Sequence, residues 1–328
     1  MKKRDYYYEL MRIFAMFLVI GAHSLGSIVV YAEGSFQTAF AYALNILTGM
    51  GPQLFFALSG CFILRKVPEN ILEWYKRHYI KILVPFMIYG VGYVLYFKGI
   101  EERNPAGIPL GYVESFFTTG FHGTHWFIYA IFGLYFAAPF LAKLFKELSD
   151  NEAAILLVGI LGADLFIWIF SIFGWEFGYA YLFFNGSRIK VFILGYLAWR
   201  LSEKWIPEKL LKWRFPLVIL FFILQILITN GFTTDTLIFL LLIPHKCKHT
   251  PAEKLVSLAT ETSYYVYLVH AAVISLVLKI FTYWGGPLFP VKIVMIQFVV
   301  WVISLVIVLL TRFVPDKAVQ LLNKKLCK

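Results

Sequence analysis

The sequence predicts an all-α membrane protein with about ten transmembrane helices and both termini in the cytoplasm. Of its 328 residues, 60% are hydrophobic and only 15% are charged, whereas a soluble domain is closer to half apolar and a quarter charged. Aromatic residues reach 19%, and Trp and Tyr are typical of membrane interfaces. This composition excludes a soluble enzyme, a disordered chain and a nucleic-acid-binding protein.

Apolar stretches that approach the length needed to cross a bilayer, about 20 residues, follow one another along the chain. The first begins after a basic start, and we interpret it as a span rather than a signal peptide because similar stretches continue to the C-terminus. The predicted helices cover 13–32, 34–64, 82–97, 115–142, 153–175, 181–199, 215–234, 236–245, 262–278 and 293–311. The seventh and eighth form a hairpin with the least defined boundaries.

The second predicted helix contains Gly49, Gly51 and Pro52, which are expected to break or kink it. A broken helix at membrane depth is tolerated where it lines a cavity. The alternative is a simple kink, with close helix packing at Gly60.

The distribution of Lys and Arg predicts the orientation. With the N-terminus inside, 24 of these residues lie on the inner side and 6 on the outer side, as the positive-inside rule requires. The net charge of +11 is therefore mainly a topology signal, with anionic lipid headgroups as its default partner. The longest loops, 65–81 and 98–114, are too short for a soluble domain, so residues 1–328 form a single transmembrane domain.

The sequence offers no support for a metal site or a permanently bound cofactor. Cys61, Cys247 and Cys327 are widely spaced and match no metal-ligand or disulfide pattern. The phosphate-loop, nucleophile-elbow, zinc-protease and CxxC motifs are all absent from the sequence. ATP-driven, metal and redox chemistry therefore have no support.

Arg12 and His23 are ionisable residues in the first predicted helix. Eleven residues are about three turns, so both lie on one helix face, roughly 16 Å apart along the axis. This arrangement suits a long ligand whose anionic end meets Arg12 and whose reactive end meets His23, a natural general base. The alternative is an interfacial Arg and a structural His.

Arg188 and Lys190 interrupt the sixth predicted helix. The uncharged run between Lys190 and Arg200 is too short to span a bilayer, so an outward-facing cavity is predicted here. The pair could bind acidic glycans or pair with Asp164, or the two side chains could simply snorkel to the interface.

Two other histidines lie near spanning segments. His125 and Trp126 open the fourth predicted helix, where an interfacial anchor is the simplest interpretation. His270 shares a helix face with Tyr264 and Tyr267 at spacings of three residues, which favours a hydrogen-bonding role over a catalytic one.

Five motifs resemble those of acyltransferase family 3, integral-membrane proteins that O-acylate carbohydrates. They are TyrGluLeuMetArgIlePheAlaMetPheLeuValIleGlyAlaHis at 8–23, GlyProGlnLeuPhePheAlaLeuSerGly at 51–60, LysArgHisTyrIleLysIleLeuValProPhe at 76–86, TrpPheIleTyrAlaIlePheGlyLeuTyrPheAlaAlaPro at 126–139 and SerTyrTyrValTyrLeuValHis at 263–270. Each motif is weak alone, but together they follow the family's order.

The resemblance implies a transfer of an acyl group, commonly acetyl, from cytoplasmic acyl-CoA to a glycan or lipid-linked sugar at the plasma or inner membrane, with glycan-assembly proteins as further partners. His23 would be the catalytic base or a transient acyl carrier, and Arg12 and Glu9 are the other two predicted catalytic residues. The residues predicted to bind the donor are Arg12, Lys76, Arg77 and Lys81. The residues predicted to contact the acceptor are Ser59, His125, Trp126, Arg188, Lys190, Tyr267 and His270.

The sequence departs from the family pattern at several positions. Glu9 stands where the family has Asp, and the family's Arg-Arg-x-x-Arg cluster appears as Lys76 and Arg77 with Lys81; Lys is the weaker bidentate ligand. His125 directly precedes the Trp of its motif. No extracytoplasmic hydrolase-like domain follows the last predicted helix.

Two other functions compete with acyl transfer. A transporter also fits broken helices and polar groups at membrane depth, although the chain shows no obvious inverted repeat. A scaffold for glycan synthesis predicts that His23 is dispensable.

Overall fold

The computed structural model describes residues 6–29, 34–118, 120–174, 188–202, 208–227, 234–243, 253–280 and 286–327. Within these ranges the chain forms twelve α-helices and no strand, which confirms the predicted all-α class. Predictions for the basic N-terminus (1–5), the start of the sixth span (181–187), the hairpin turn (228–233) and Cys247 concern residues outside these ranges.

Ten helices of the described chain follow the ten predicted apolar segments in order, and the other two, the fourth and the last, lie in segments interpreted as a loop and a tail. They are α1 (Tyr6–Ile28), α2 (Ser35–Ile63), α3 (Ile71–Val94), α4 (Ile108–Thr118), α5 (Trp126–Glu147), α6 (Asp150–Ile172), α7 (Arg188–Leu201), α8 (Glu208–Leu227), α9 (Thr234–Leu242), α10 (Glu253–Ile280), α11 (Phe289–Thr311) and α12 (Phe313–Leu326). A π-helical turn, Leu95–Glu101, extends α3, and short 3₁₀ turns, Pro105–Gly107 and Gly123–His125, precede α4 and α5.

Six helical segments of the described chain are long and apolar enough to cross a membrane. They are Tyr6–Ile28, Ser35–Ile63, Ile71–Ile100, Gly123–Glu147, Glu253–Ile280 and Phe289–Thr311. In contrast, α7 has 14 residues and α9 has 9, fewer than the ~20 that a span needs. The chain is thus a polytopic helical membrane protein, while the count of ten spans and the cytoplasmic termini stay predictions.

The predicted break in α2 does not occur, because the helix runs unbroken from Ser35 to Ile63 with Pro52 inside it. A proline removes one backbone donor, and membrane helices tolerate that loss when neighbouring groups compensate. Gly51 has a packing role instead, since a Cβ there would lie 2.8 Å from the backbone nitrogen of Val19 on α1.

Contacts within the chain define two compact units. The first contains Met1–Ala22, Gly34–Val67 and Ala137–Thr260, and the second contains His23–Glu33, Pro68–Phe136 and Glu261–Lys328. Helices α1, α5 and α10 contribute to both units.

The first unit is built around the pair α2 and α7, whose backbones touch. A Cβ at Gly60 would lie 1.7 Å from the carbonyl oxygen of Phe192, and a Cβ at Gly195 would lie 1.9 Å from that of Ala57. Small residues allow membrane helices this close approach. The predicted close packing at Gly60 is therefore confirmed.

Tyrosine hydroxyls connect the helices of the second unit. From α3, Tyr75 donates to the carbonyl oxygen of Phe136 at 2.6 Å and Tyr79 to that of Phe132 at 2.9 Å. From α10, Tyr264 donates to the carbonyl oxygen of Ile82 at 2.7 Å. Polar side chains that bond across helices help to hold membrane bundles together.

Replacing Gly60 by alanine should destabilise the protein by about 1–3 kcal/mol, because the new methyl group forces two backbones apart. The matched control is Gly49→Ala on the same helix, where a Cβ meets no described atom within 4 Å. Thermal unfolding in detergent checks the difference. Equal unfolding temperatures for the two variants would contradict the proposed backbone contact.

Candidate functional site

Two histidines from distant parts of the sequence are neighbours in the second unit. His23, on α1, and His270, on α10, have ring centroids 5.2 Å apart. The side chain of His270 is fully buried, whereas that of His23 is half-buried. The structure therefore brings the predicted base beside a second imidazole, and only His23 retains some access from outside.

The hydrogen bonding of His270 defines its tautomer. Its Nδ1 lies 2.5 Å from the carbonyl oxygen of Tyr267, and a carbonyl oxygen only accepts, so Nδ1 carries the hydrogen. In the neutral ring, Nε2 is then an unprotonated acceptor. This Nε2 has no hydrogen-bond partner within the described residues. This Nε2 is therefore available to accept a hydrogen bond from a neighbouring group.

His125 and Tyr267 hold the segment before α5 against α10. The ring nitrogens of His125 lie 2.6 Å from the carbonyl oxygen of Gly120 and 3.2 Å from that of Leu268. The hydroxyl of Tyr267 donates to the carbonyl oxygen of Thr124 at 2.6 Å. A carbonyl oxygen only accepts, so the neutral ring of His125 donates to one of these two carbonyls. This bond favours a positioning role for the residue; its predicted contact with the acceptor stays a prediction.

The segment held in this way has an unusual backbone. Gly120 and Phe121 both have positive φ angles, 66° and 69°, and a non-glycine residue in that region is strained. The ring of Phe121 fills the space beside Gly90, where a Cβ would lie 2.2 Å from it. This packing holds the turn that presents His122 and His125.

His122 is a further member of the group, and the sequence analysis missed it. Its ring stacks on Phe97 at 5.7 Å and contacts Tyr93 at 5.8 Å. Its Nδ1 accepts from the backbone N–H of Thr124 at 3.3 Å. Burial lowers the pKa of His122 below its ordinary value, so its ring is neutral at neutral pH. We call His23, His122, His125 and His270 the histidine cluster.

Four of the predicted site residues that are not members of the histidine cluster are Arg12, Glu9, Ser59 and Trp126. Arg12 and Glu9 are on α1 and Ser59 is on α2, all within the first unit. The Arg12 guanidinium lies 5.5 Å from the centre of the Phe62 ring, and Glu9 is buried. Trp126 is the first residue of α5 and is 38% exposed.

Three predicted donor-binding residues form an exposed basic face at the start of α3. Arg77 pairs with Glu73 one turn earlier, and Lys76 donates to the carbonyl oxygen of Leu326 on α12 at 3.4 Å. Lys81 is exposed. Their binding of the donor stays a prediction.

Lys190 forms the pair with Asp164 that the sequence suggested, and a second carboxylate joins it. Its Nζ lies 2.8 Å from Asp164 and 2.6 Å from Asp235, and both carboxylates are buried. Two carboxylates satisfy this ammonium, which favours pairing over glycan binding. Arg188 is exposed at the first turn of α7.

Two features of the sequence could have indicated the missed residues His122 and Asp235. His122 and His125 are three residues apart in a glycine-bounded turn, and Asp235 is the only acidic residue between Phe215 and His245. A charge in such an apolar stretch is a functional candidate by default.

The fold and this site define a polytopic helical membrane protein with a buried histidine cluster. The family model described as an acyltransferase domain, acyltransferase family 3, matches residues 5–313. The match covers nearly the whole chain, including every residue of the cluster, so the chain belongs to this family, as the motifs predicted. Comparison with curated proteins and with solved structures gave no significant match.

Replacing Lys190 by methionine should destabilise the protein by about 3–5 kcal/mol, because two buried carboxylates lose their cation. The control is the triple variant Asp164→Asn, Lys190→Met and Asp235→Asn, which removes all three charges and should recover most of the loss. Thermal unfolding in detergent measures both. A triple variant as unstable as Lys190→Met would contradict the ion-pair explanation.

Proposed function

We propose that this protein is a membrane O-acyltransferase that moves an acetyl group from cytoplasmic acetyl-CoA to a sugar hydroxyl of a cell-surface or lipid-linked glycan. The observation on which this rests is the contact between His23 and His270, in which one buried nitrogen is unprotonated and without a described partner. Family membership supports the acyltransferase class. The plasma or inner membrane is the proposed location.

The reaction needs a base that can reach the substrate. The acceptor hydroxyl gives its proton to His23, and its oxygen attacks the thioester carbonyl carbon. The carbon–sulfur bond breaks, and the CoA thiolate takes the proton from the His23 imidazolium. His23 is assigned the role of the base because its side chain is partly accessible, whereas the side chain of His270 is fully buried. General acid–base catalysis of this kind contributes typically about 10²–10⁴-fold.

His270 acts through His23 in this proposal. The Nδ1 of His270 is held on the carbonyl oxygen of Tyr267, so its ring presents Nε2 in a fixed orientation. An acceptor nitrogen beside His23 orients that ring and stabilises the imidazolium that forms during transfer. The aromatic side chains around the cluster, Tyr93 and Tyr267 among them, exclude water that would hydrolyse the thioester.

The remaining roles follow from the resemblance. Arg12, with Lys76, Arg77 and Lys81, would bind the acyl-CoA donor, and Glu9 would support Arg12. Ser59, Trp126 and Tyr267 would contact the acceptor.

One observation favours a transporter as the second candidate. Lys190, Asp164 and Asp235 form a buried charge cluster, and buried ionisable groups of membrane proteins often mark ion or proton pathways. A transporter predicts flux of intact substrate into liposomes without acyl transfer.

Replacing His23 by alanine should lower kcat by about 10²–10⁴-fold, because the base is lost. The measurement is release of CoA and formation of labelled product from radiolabelled acetyl-CoA and candidate glycans. The matched control is His78→Ala on α3, whose Nδ1 bonds to the carbonyl oxygen of Trp74 and which has no proposed role. Full transfer by the His23 variant, or flux without transfer, would overturn the proposal.

Replacing His270 by glutamine should lower kcat by about tenfold or more with little change in KM. Glutamine keeps a polar side chain but supplies no imidazole to orient His23. The measurement is steady-state kinetics on a variant shown to unfold at the parent temperature. A rise in KM with unchanged kcat would instead indicate that His270 contacts the substrate only.

A further inference from the structure

The first unit contains a cavity that the proposed roles leave unused. Its volume is about 440 Å³, within the range typical of small-molecule sites. It lies where the end of α2, the end of α5 and the end of α7 meet. The residues that line it are Leu64, Arg65, Lys66, Val67, Ala142, Phe145, Lys146, Tyr196 and Arg200.

The lining of this cavity is strongly basic. Arg65, Lys66, Lys146 and Arg200 are among the nine lining residues, and no acidic residue is. All four belong to segments that the positive-inside rule places on the cytoplasmic side. Within the described residues, Asp150 pairs with Arg200 at 3.0 Å. The cavity therefore attracts an anion of more than one negative charge.

Both arginines are held in place before any ligand arrives. Arg200 also donates to the carbonyl oxygen of Phe145 at 2.6 Å. Arg65 donates from Nε to the carbonyl oxygen of Cys61, and its guanidinium lies 4.3 Å from the centre of a Trp199 ring. Arginines fixed in this way lose little freedom on binding.

The two lysines of the cavity, Lys66 and Lys146, differ from the arginines in their exposure. Lys66 and Lys146 are exposed at its rim, where flexible ammonium groups act as point charges for phosphate. Phe145 and Tyr196, with ring centroids 5.2 Å apart, give the cavity an aromatic wall. A charged rim beside an aromatic wall suits a phosphorylated ligand with a planar base.

We propose that this cavity binds a phosphate-bearing anion and, resting on the proposed function, that the phosphates of acetyl-CoA are its ligand. Arg65 and Arg200 orient the site, and Lys66 and Lys146 bind the phosphate oxygens. The phosphates of the donor are thus held in the first unit, by residues that the resemblance does not assign to donor binding. The phosphate of an anionic lipid headgroup has the same chemistry and is the competing source.

The test compares a double variant with a matched control in the full-length protein in neutral detergent. Lys66→Gln with Lys146→Gln should raise the Kd for radiolabelled acetyl-CoA by about tenfold or more, because two charged contacts are lost. Lys143→Gln is the control, since Lys143 is exposed on α5 three residues before Lys146 but does not line the cavity. It should change the Kd by less than about twofold.

Competition identifies the source of the phosphate. Inorganic pyrophosphate should displace acetyl-CoA from the parent and lose that ability in the double variant, whereas pantetheine, which has no phosphate, should not depend on the lysines. If phosphatidylglycerol instead binds in a lysine-dependent way and acetyl-CoA does not, the ligand is a lipid headgroup and the donor assignment is overturned.

Failure of this inference is distinguishable from failure of the proposed function. Acyl transfer with an unchanged KM for acetyl-CoA in the double variant would overturn the cavity as the donor site and leave the enzyme intact. No acetyl-CoA binding or transfer by the parent, with lysine-dependent binding of pyrophosphate, would overturn the acyltransferase and support the phosphate site.

Discussion

The structure depends on one constraint, that polar groups in a low-dielectric interior must find their partners within the protein. Several polar groups of the described chain meet it. Tyrosine hydroxyls donate to carbonyls on neighbouring helices, and Lys190 lies between two carboxylates. Buried Arg214 donates to the carbonyl oxygen of Ile243 at 2.7 Å. These contacts link helices that apolar packing alone would leave free to rotate.

One of the buried atoms that do not meet this constraint within the described residues lies at the candidate functional site. The Nε2 of His270 is a buried acceptor without a partner among the described residues. It belongs to the ring next to His23, the base that the sequence predicts. An unmet hydrogen bond in an apolar interior costs free energy, and here it lies beside the predicted base. His125 differs from His270 because both of its ring nitrogens lie close to backbone carbonyl oxygens, so its ring positions a turn.

The sequence predicts most of the helices because the length of an apolar stretch is a local property of the chain. The close contact at Gly60 and the pairing of Lys190 with Asp164 were also among the possibilities that the sequence suggested. A glycine or a charged residue inside a membrane span has only a few structural roles. Sequence reasoning missed α4 and α12, which lie in segments interpreted as a loop and a tail. It expected a break or a kink at Pro52, and α2 runs through this position unbroken. The adjacency of His23 and His270 and the second carboxylate on Lys190 are long-range facts, set by how helices associate, and no spacing along the chain encodes them.

The contact between α2 and α7 at Gly60 and Gly195 also has an entropic side. In the bilayer, each helix is formed before it associates, and lipid tails remove the hydrophobic drive for association. Glycine has no side-chain rotamers to lose when two helices meet, so this pair keeps its dispersion contacts at little cost in configurational freedom. We expect this contact to persist on warming, while contacts made by long side chains loosen. The pair α2 and α7 would then be the rigid part of the first unit when ligands bind and leave.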